Sequence, residues 1–183
     1  MSKVYLLVDG ENIDRTLGQI LNSKPAPNQR PRWDKILQFV EDHYKKDCKA
    51  LFFLNASRGL PGTFVQALLA ARYVPIPLVG DQDLKIVDEG INKTLRAIAE
   101  TSSDCSVCLV SHDADFIDSF KFLADGKRDL SVAVFAEYLS GSYSEIEGLR
   151  VFDLEDEVGA FQGASLPRLR PISLDEFDPC KYL

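Results

Sequence analysis

The chain has 183 residues, 45% of them apolar, and a formal charge of −7. That length buries one full core, which gives a single domain over residues 1–158 followed by an arm over residues 159–183. The acidity argues against a protein that coats nucleic acid non-specifically, because that binding is driven by broad phosphate neutralisation, but it leaves room for a local basic rim.

The first element is a short apolar strand over residues 3–8, entered directly from Met1-Ser2-Lys3. With no signal-peptide core ahead of it and no apolar run longer than a strand, a soluble, cytoplasmic chain with no membrane partner is expected. Residues 23–32 hold three prolines and two arginines and read as an exposed loop. Ile36, Leu37, Val40 and Tyr44 then recur at helical spacing, predicting a helix over Trp33–Tyr44. A strand over 49–54, a helix over Gly62–Arg72 behind a Pro-Gly pair, and a strand over 73–78 follow. Ile91, Leu95 and Ile98 form one stripe of a helix over Asp88–Glu100, with Asp88 at its opening. Strands over 106–110, 130–135 and 149–152 complete a β/α alternation that predicts an α/β fold, with a mostly parallel sheet wrapped by helices.

The arm carries Leu166-Pro167-Arg168-Leu169-Arg170-Pro171 and Ile172-Ser173-Leu174-Asp175-Glu176-Phe177, with neither helical nor strand period. It packs on the surface or stays partly disordered, the alternative being a docking segment for a protein partner. Whether two chains pair as a homodimer is left open by the sequence.

Cys105 and Cys108 form a CxxC pair, but a zinc ribbon needs a second close pair, and Cys48 and Cys180 are far apart. The pair runs into an apolar strand whose alternation sends the two thiols to opposite faces, as expected of reduced cytosolic cysteines.

Chemistry concentrates at two strand ends. Val4-Tyr5-Leu6-Leu7-Val8 stops in Asp9, and Val107-Cys108-Leu109-Val110 stops in Ser111-His112-Asp113-Ala114-Asp115. Buried strands of open α/β sheets deliver such residues to the rim where ligands bind. Aspartates converging there repel one another unless a cation neutralises them, and oxygen ligands without His or Cys favour Mg²⁺ or Mn²⁺. Helix N-capping accounts for Asp9, Asn12 and Asp113 one at a time, but not for their convergence.

Val8-Asp9-Gly10-Glu11-Asn12-Ile13 and Val110-Ser111-His112-Asp113-Ala114-Asp115-Phe116 resemble signature segments of NYN-domain proteins, a family of PIN-like nucleases. Lys85-Ile86-Val87-Asp88, reached through a loop from Ala71-Arg72-Tyr73-Val74-Pro75, is similar to the family's Lys-x-Val-Asp element before its central helix. The resemblance spans roughly residues 3–152. It implies a three-layer α/β/α PIN-like fold and divalent-metal-dependent cleavage of an RNA substrate. Two positions depart from the family pattern: Thr94 stands where another Asp is common, and His112 where a Gly precedes the strand-end Asp. His112 reads as an exposed loop histidine, with substrate contact or proton transfer as the alternative.

The chemistry so implied is phosphodiester hydrolysis with Asp9 and Asp113 as principal metal ligands. Asp88 and Asp115 bind the ion directly or through water, one of them serving as base. Asn12 and Ser111 support the site, and Lys85, Lys93, Arg15 and Arg58 are the cations expected near the rim. Phe52, Phe53, Phe116 and Phe120 read as core. A haloacid-dehalogenase-type phosphatase needs a second Asp two positions after Asp9, where this chain has Glu11. The remaining alternative is a non-catalytic PIN-like module that binds RNA or a protein, which Thr94 and the acidic surface permit.

Overall fold

Six parallel strands in the order β3-β2-β1-β4-β5-β6 form the centre of the computed structural model, which describes residues 3–81, 85–126 and 128–183. They are β1 (Lys3–Asp9), β2 (Asp47–Asn55), β3 (Val74–Leu78), β4 (Cys105–Val110), β5 (Asp129–Val134) and β6 (Arg150–Asp153). The expected strands are all present, each within two residues of its expected ends, and every neighbouring pair is parallel. The Met1-Ser2 lead and residues 82–84 of the loop ahead of Lys85 lie outside the described residues.

Alternation along the strands builds two cores. Val4, Leu6 and Val8 of β1 face one side with Cys108 and Val110 of β4, whereas Leu7 faces the other with Cys105, Val107 and Leu109. The two thiols therefore point to opposite faces, and all four cysteines are free. Helices α1 (Gly10–Leu21), α2 (Trp33–Tyr44) and α3 (Gly62–Ala70) cover the first face, and α4 (Ile86–Thr101) and α5 (Ile117–Ala124) the second. The result is a three-layer α/β/α fold.

Each helix is specified locally. On α1, Ile13, Leu17 and Ile20 form the buried stripe, Asp9 caps the N-terminus by accepting from the Asn12 N–H, and Asn22 closes it in the left-handed region. On α4 the stripe is Val87, Ile91, Leu95 and Ile98, each full burial being worth about 1.5–3 kcal/mol. That helix opens two residues before Asp88, which sits inside its first turn. Helix α3 ends at Ala70, short of the expected Arg72, because Arg72 turns left-handed (φ 66°) and pairs with Glu41 of α2 at 2.7 Å. No helix among the described residues is long and apolar enough to cross a membrane.

The last part of the chain starts inside the fold and ends outside it. Ala160 is fully buried, its carbonyl accepting from the Arg32 N–H at 2.7 Å, and Phe161 and Leu166 pack against the first core. Arg168 is 1% exposed and meets Glu137, Asp153 and Glu155 together. Beyond Arg170 the residues are exposed, with short 3-10 turns at Leu174–Glu176 and Pro179–Lys181.

Candidate metal centre

Strand order places the site. Chain connections leave β1 toward β2 and β3 on one side, and β4 to β6 lie on the other, so the crevice beyond the ends of β1 and β4 is the switch point of the sheet. Asp9 ends β1, and Ser111, His112 and Asp113 follow β4. The start of α4 brings Lys85 and Asp88 to the same crevice. Asp9, Glu11, Asn12, Arg15, Asn55, Lys85, Asp88 and Asp113 are among the residues lining one pocket of about 140 Å³.

Asp88, Asp113 and Asp115 each bring one carboxylate oxygen to a set in which all three lie within 4.8 Å of one another, so the cluster is able to hold a metal ion. Their backbones are pinned. The Asp113 side chain accepts the Asp115 N–H at 3.0 Å, capping the 3-10 turn Ala114–Phe116, and its carbonyl accepts the Tyr143 hydroxyl at 2.6 Å. Asn92, one helical turn after Asp88, donates to the Asp115 carbonyl at 3.4 Å and accepts the Ser119 hydroxyl at 2.6 Å, tying α4 to this turn. The i, i+4 spacing from Asp88 is the sequence signal that marks Asn92.

Asp9, which is 3% exposed, is not one of this triad but lines the same pocket as Asp88 and Asp113. One of its oxygens accepts the Asn12 N–H at 3.1 Å and the other the Ser111 hydroxyl at 3.0 Å. Burial nonetheless pushes Asp9 up to about 6, with the charges of Asp88 and Glu11 adding to it. Asp88 is raised as well, by burial and then by Asp113. Burial is the larger cause for both carboxyls and like charge adds to it, and hard oxygen donors suit Mg²⁺ or Mn²⁺.

His112 corrects the expectation of an exposed loop residue, being 7% exposed. The backbone N–H of Phe135 donates to its Nε2 at 2.8 Å, so that nitrogen carries the lone pair and the neutral ring holds its proton on Nδ1. Nδ1 lies 3.0 Å from Oδ1 of Asn12, which also accepts the His112 backbone N–H at 2.8 Å. Thr16 braces the group by donating to the Asn12 carbonyl at 3.1 Å. Because two donors meet that atom of Asn12, it is the oxygen, and the amide NH₂ faces the pocket with no protein partner among the described residues. Asn12 is itself only 9% exposed and lines the pocket.

The cations divide. Lys85 lies 2.5 Å from Asp115 and 3.8 Å from Asp88, and Arg15 lines the pocket. Lys93 and Arg58 are exposed and line none of it. Thr94 donates its hydroxyl to the Gly90 carbonyl at 2.8 Å, bonding to its own helix.

Fold and site together define an all-parallel, doubly wound α/β protein with a carboxylate pocket at its switch point. No family model and no curated protein matches the chain. A crystal structure of a Vibrio parahaemolyticus protein of unknown function is similar to it, with a TM-score of 0.65 and 20% identity over 85% of this chain and 94% of that one. That likeness is one of fold.

Proposed function

We propose that the chain is a divalent-metal-dependent ribonuclease of the NYN type, hydrolysing RNA phosphodiester bonds in the pocket of Asp9, Asp88, Asp113 and Asp115. The observation that carries this reading is the convergence of three carboxylate oxygens within 4.8 Å at the sheet's switch point. The buried Asn12, which lines the same pocket, adds an amide donor for a ligand oxygen. A bound Mg²⁺ or Mn²⁺ supplies a Lewis acid for the phosphoryl group and lowers the pKa of a bound water. Asp88, Asp113 and Asp115 would hold the ion, and Asp9 adds a fourth carboxylate fixed by Asn12 and Ser111. Lys85 and Arg15 supply positive charge for phosphate oxygens at the pocket rim.

One observation favours a non-catalytic module instead: the Lys85 ammonium already sits against Asp115 and Asp88, where it offsets part of the cluster's charge. Labelled single-stranded RNA incubated with the protein separates the two readings. A nuclease cleaves it in Mn²⁺ and leaves it intact in EDTA, whereas a module leaves it intact in both.

A further inference from the structure

We infer that the cleft bounded by the first turns of α1, the end of β2 and the starts of α2 and α3, beside the carboxylate pocket, is a subsite for one base of a single-stranded RNA, an inference that rests on the ribonuclease reading. The cleft measures about 340 Å³. Trp33 of α2 and Phe64 of α3 form its walls and Phe52 of β2 its floor, with ring centroids 4.9 Å and 5.4 Å from that of Phe52. Trp33 and Phe64 pack against the first core but remain partly exposed, so a flat ring entering the cleft has aromatic surface to meet.

Glu11 and Asn55 line both this cleft and the carboxylate pocket, so the two cavities share a rim. A phosphate in one would leave its neighbouring base free to enter the other. The chemistry of the cleft selects the base and not the phosphate: beside the aromatic rings its rim carries the carboxylates of Glu11 and Asp14, and the one guanidinium there, Arg30, is paired with Asp14 at 2.8 Å. Carboxylates repel phosphate but accept hydrogen bonds from the amino and imino edges of a base. Asn55 adds an amide whose oxygen accepts the Ser57 N–H at 3.0 Å, which leaves its NH₂ as the complementary donor.

The backbone is shaped for this arrangement. A Cβ on Gly10 would lie 2.6 Å from Cζ of Phe52, so glycine at the start of α1 leaves room for the Phe52 ring at the cleft floor.

Trp33 is the chain's single tryptophan and lines this cleft, so its emission responds to a ring that enters it. Metal-free protein in EDTA would be titrated with each of the four ribonucleosides and with ribose as the base-free control. We expect saturable quenching by at least one nucleoside and none by ribose, about tenfold weaker in Phe64→Ala and unchanged in Asp113→Asn. Absence of saturable quenching, equal quenching by ribose, or an unaltered Phe64→Ala would overturn the inference. So would a Trp33 emission that shifts with protein concentration alone, which would assign the cleft to a second copy of the chain. Because no metal and no cleavage enter the assay, quenching without RNA cleavage would retire the nuclease reading and keep the subsite, and cleavage without quenching would do the reverse.

Discussion

Nδ1 of His112 lies 3.0 Å from Oδ1 of Asn12, and the backbone N–H of Phe135 occupies the opposite ring nitrogen at 2.8 Å. The ring is thereby held neutral with its proton toward Asn12, and Asn12 in turn presents its amide NH₂ to the carboxylate pocket. Through the Asn12 N–H on Asp9, the same group connects the ends of β1 and β4.

Asp9 and His112 titrate in opposition. Burial raises Asp9 to about 6 and lowers His112 to about 4. Over the window between, the folded chain keeps a proton on Asp9 that the unfolded chain has released, so this contribution to stability falls as pH rises from about 4 to about 6. The folded chain lacks a proton on His112 that the unfolded chain holds below about 6.5, so this contribution rises with pH over nearly the same range. The two offset in wild type. Urea unfolding in EDTA at several pH values should show the stability of Asp9→Asn gaining up to about 3 kcal/mol relative to wild type as pH rises through the window, and that of His112→Gln losing a similar amount. Parallel curves for all three proteins would contradict the pairing.

Lys85 is the internal counter-ion of the metal-free cluster. Replacing it with Gln removes that compensation, so Mn²⁺ should raise the melting temperature of Lys85→Gln more than that of wild type, by an extra ~2–4 °C for about 1 kcal/mol. An equal or smaller shift in the variant would show that Lys85 does not share the cluster's charge.

Arg168 anchors the end of the chain. Its guanidinium bonds Glu137 at 2.7 Å, Asp153 at 2.8 Å and Glu155 at 3.0 Å, and it stacks over the Phe135 ring 5.0 Å away. Leaving three acids unpaired there should cost Arg168→Ala about 3–5 kcal/mol. The exposed Arg170→Ala, which breaks pairs with Glu155 and Asp156, should cost about 1 kcal/mol or less. Urea midpoints of the two variants measure the contrast.

Gly10 gives a packing test. Gly10→Ala drives a methyl into the Phe52 ring, and should destabilise the protein by about 1–3 kcal/mol. An unchanged urea midpoint would show that Phe52 moves aside at no cost.

The ends of β1 and β4 were legible because each is an apolar run that stops in polar and acidic residues. Val4 to Val8 runs into Asp9, and the fully buried Cys105 to Val110 runs into Ser111, His112 and Asp113. Asp88 was legible from its place at the head of an amphipathic stripe. The rim cations were read less well, since Lys93 lies five residues after Asp88 and a helix turns it about 140° away, while Arg58 sits in an exposed loop whose path no periodicity fixes. His112 was misread because its partners are Asn12 and Phe135, brought together only when β4 packs between β1 and β5. Arg168 lies in a stretch with no period at all, and its acids come from two places, Glu137 from a 3-10 turn after β5 and Asp153 and Glu155 from the end of β6.

Loss of RNA cleavage with retained folding tests the central claim most directly. Wild type, Asp9→Asn and Asp113→Asn, purified in parallel and matched by unfolding curves, would be incubated with labelled single-stranded RNA and Mn²⁺. The account predicts cleavage by wild type and its loss in both variants, with Asp113→Asn folding as well as wild type because one repelling charge is gone. Cleavage retained in a folded Asp113→Asn, or absent from wild type on structured and unstructured RNA alike, would contradict it.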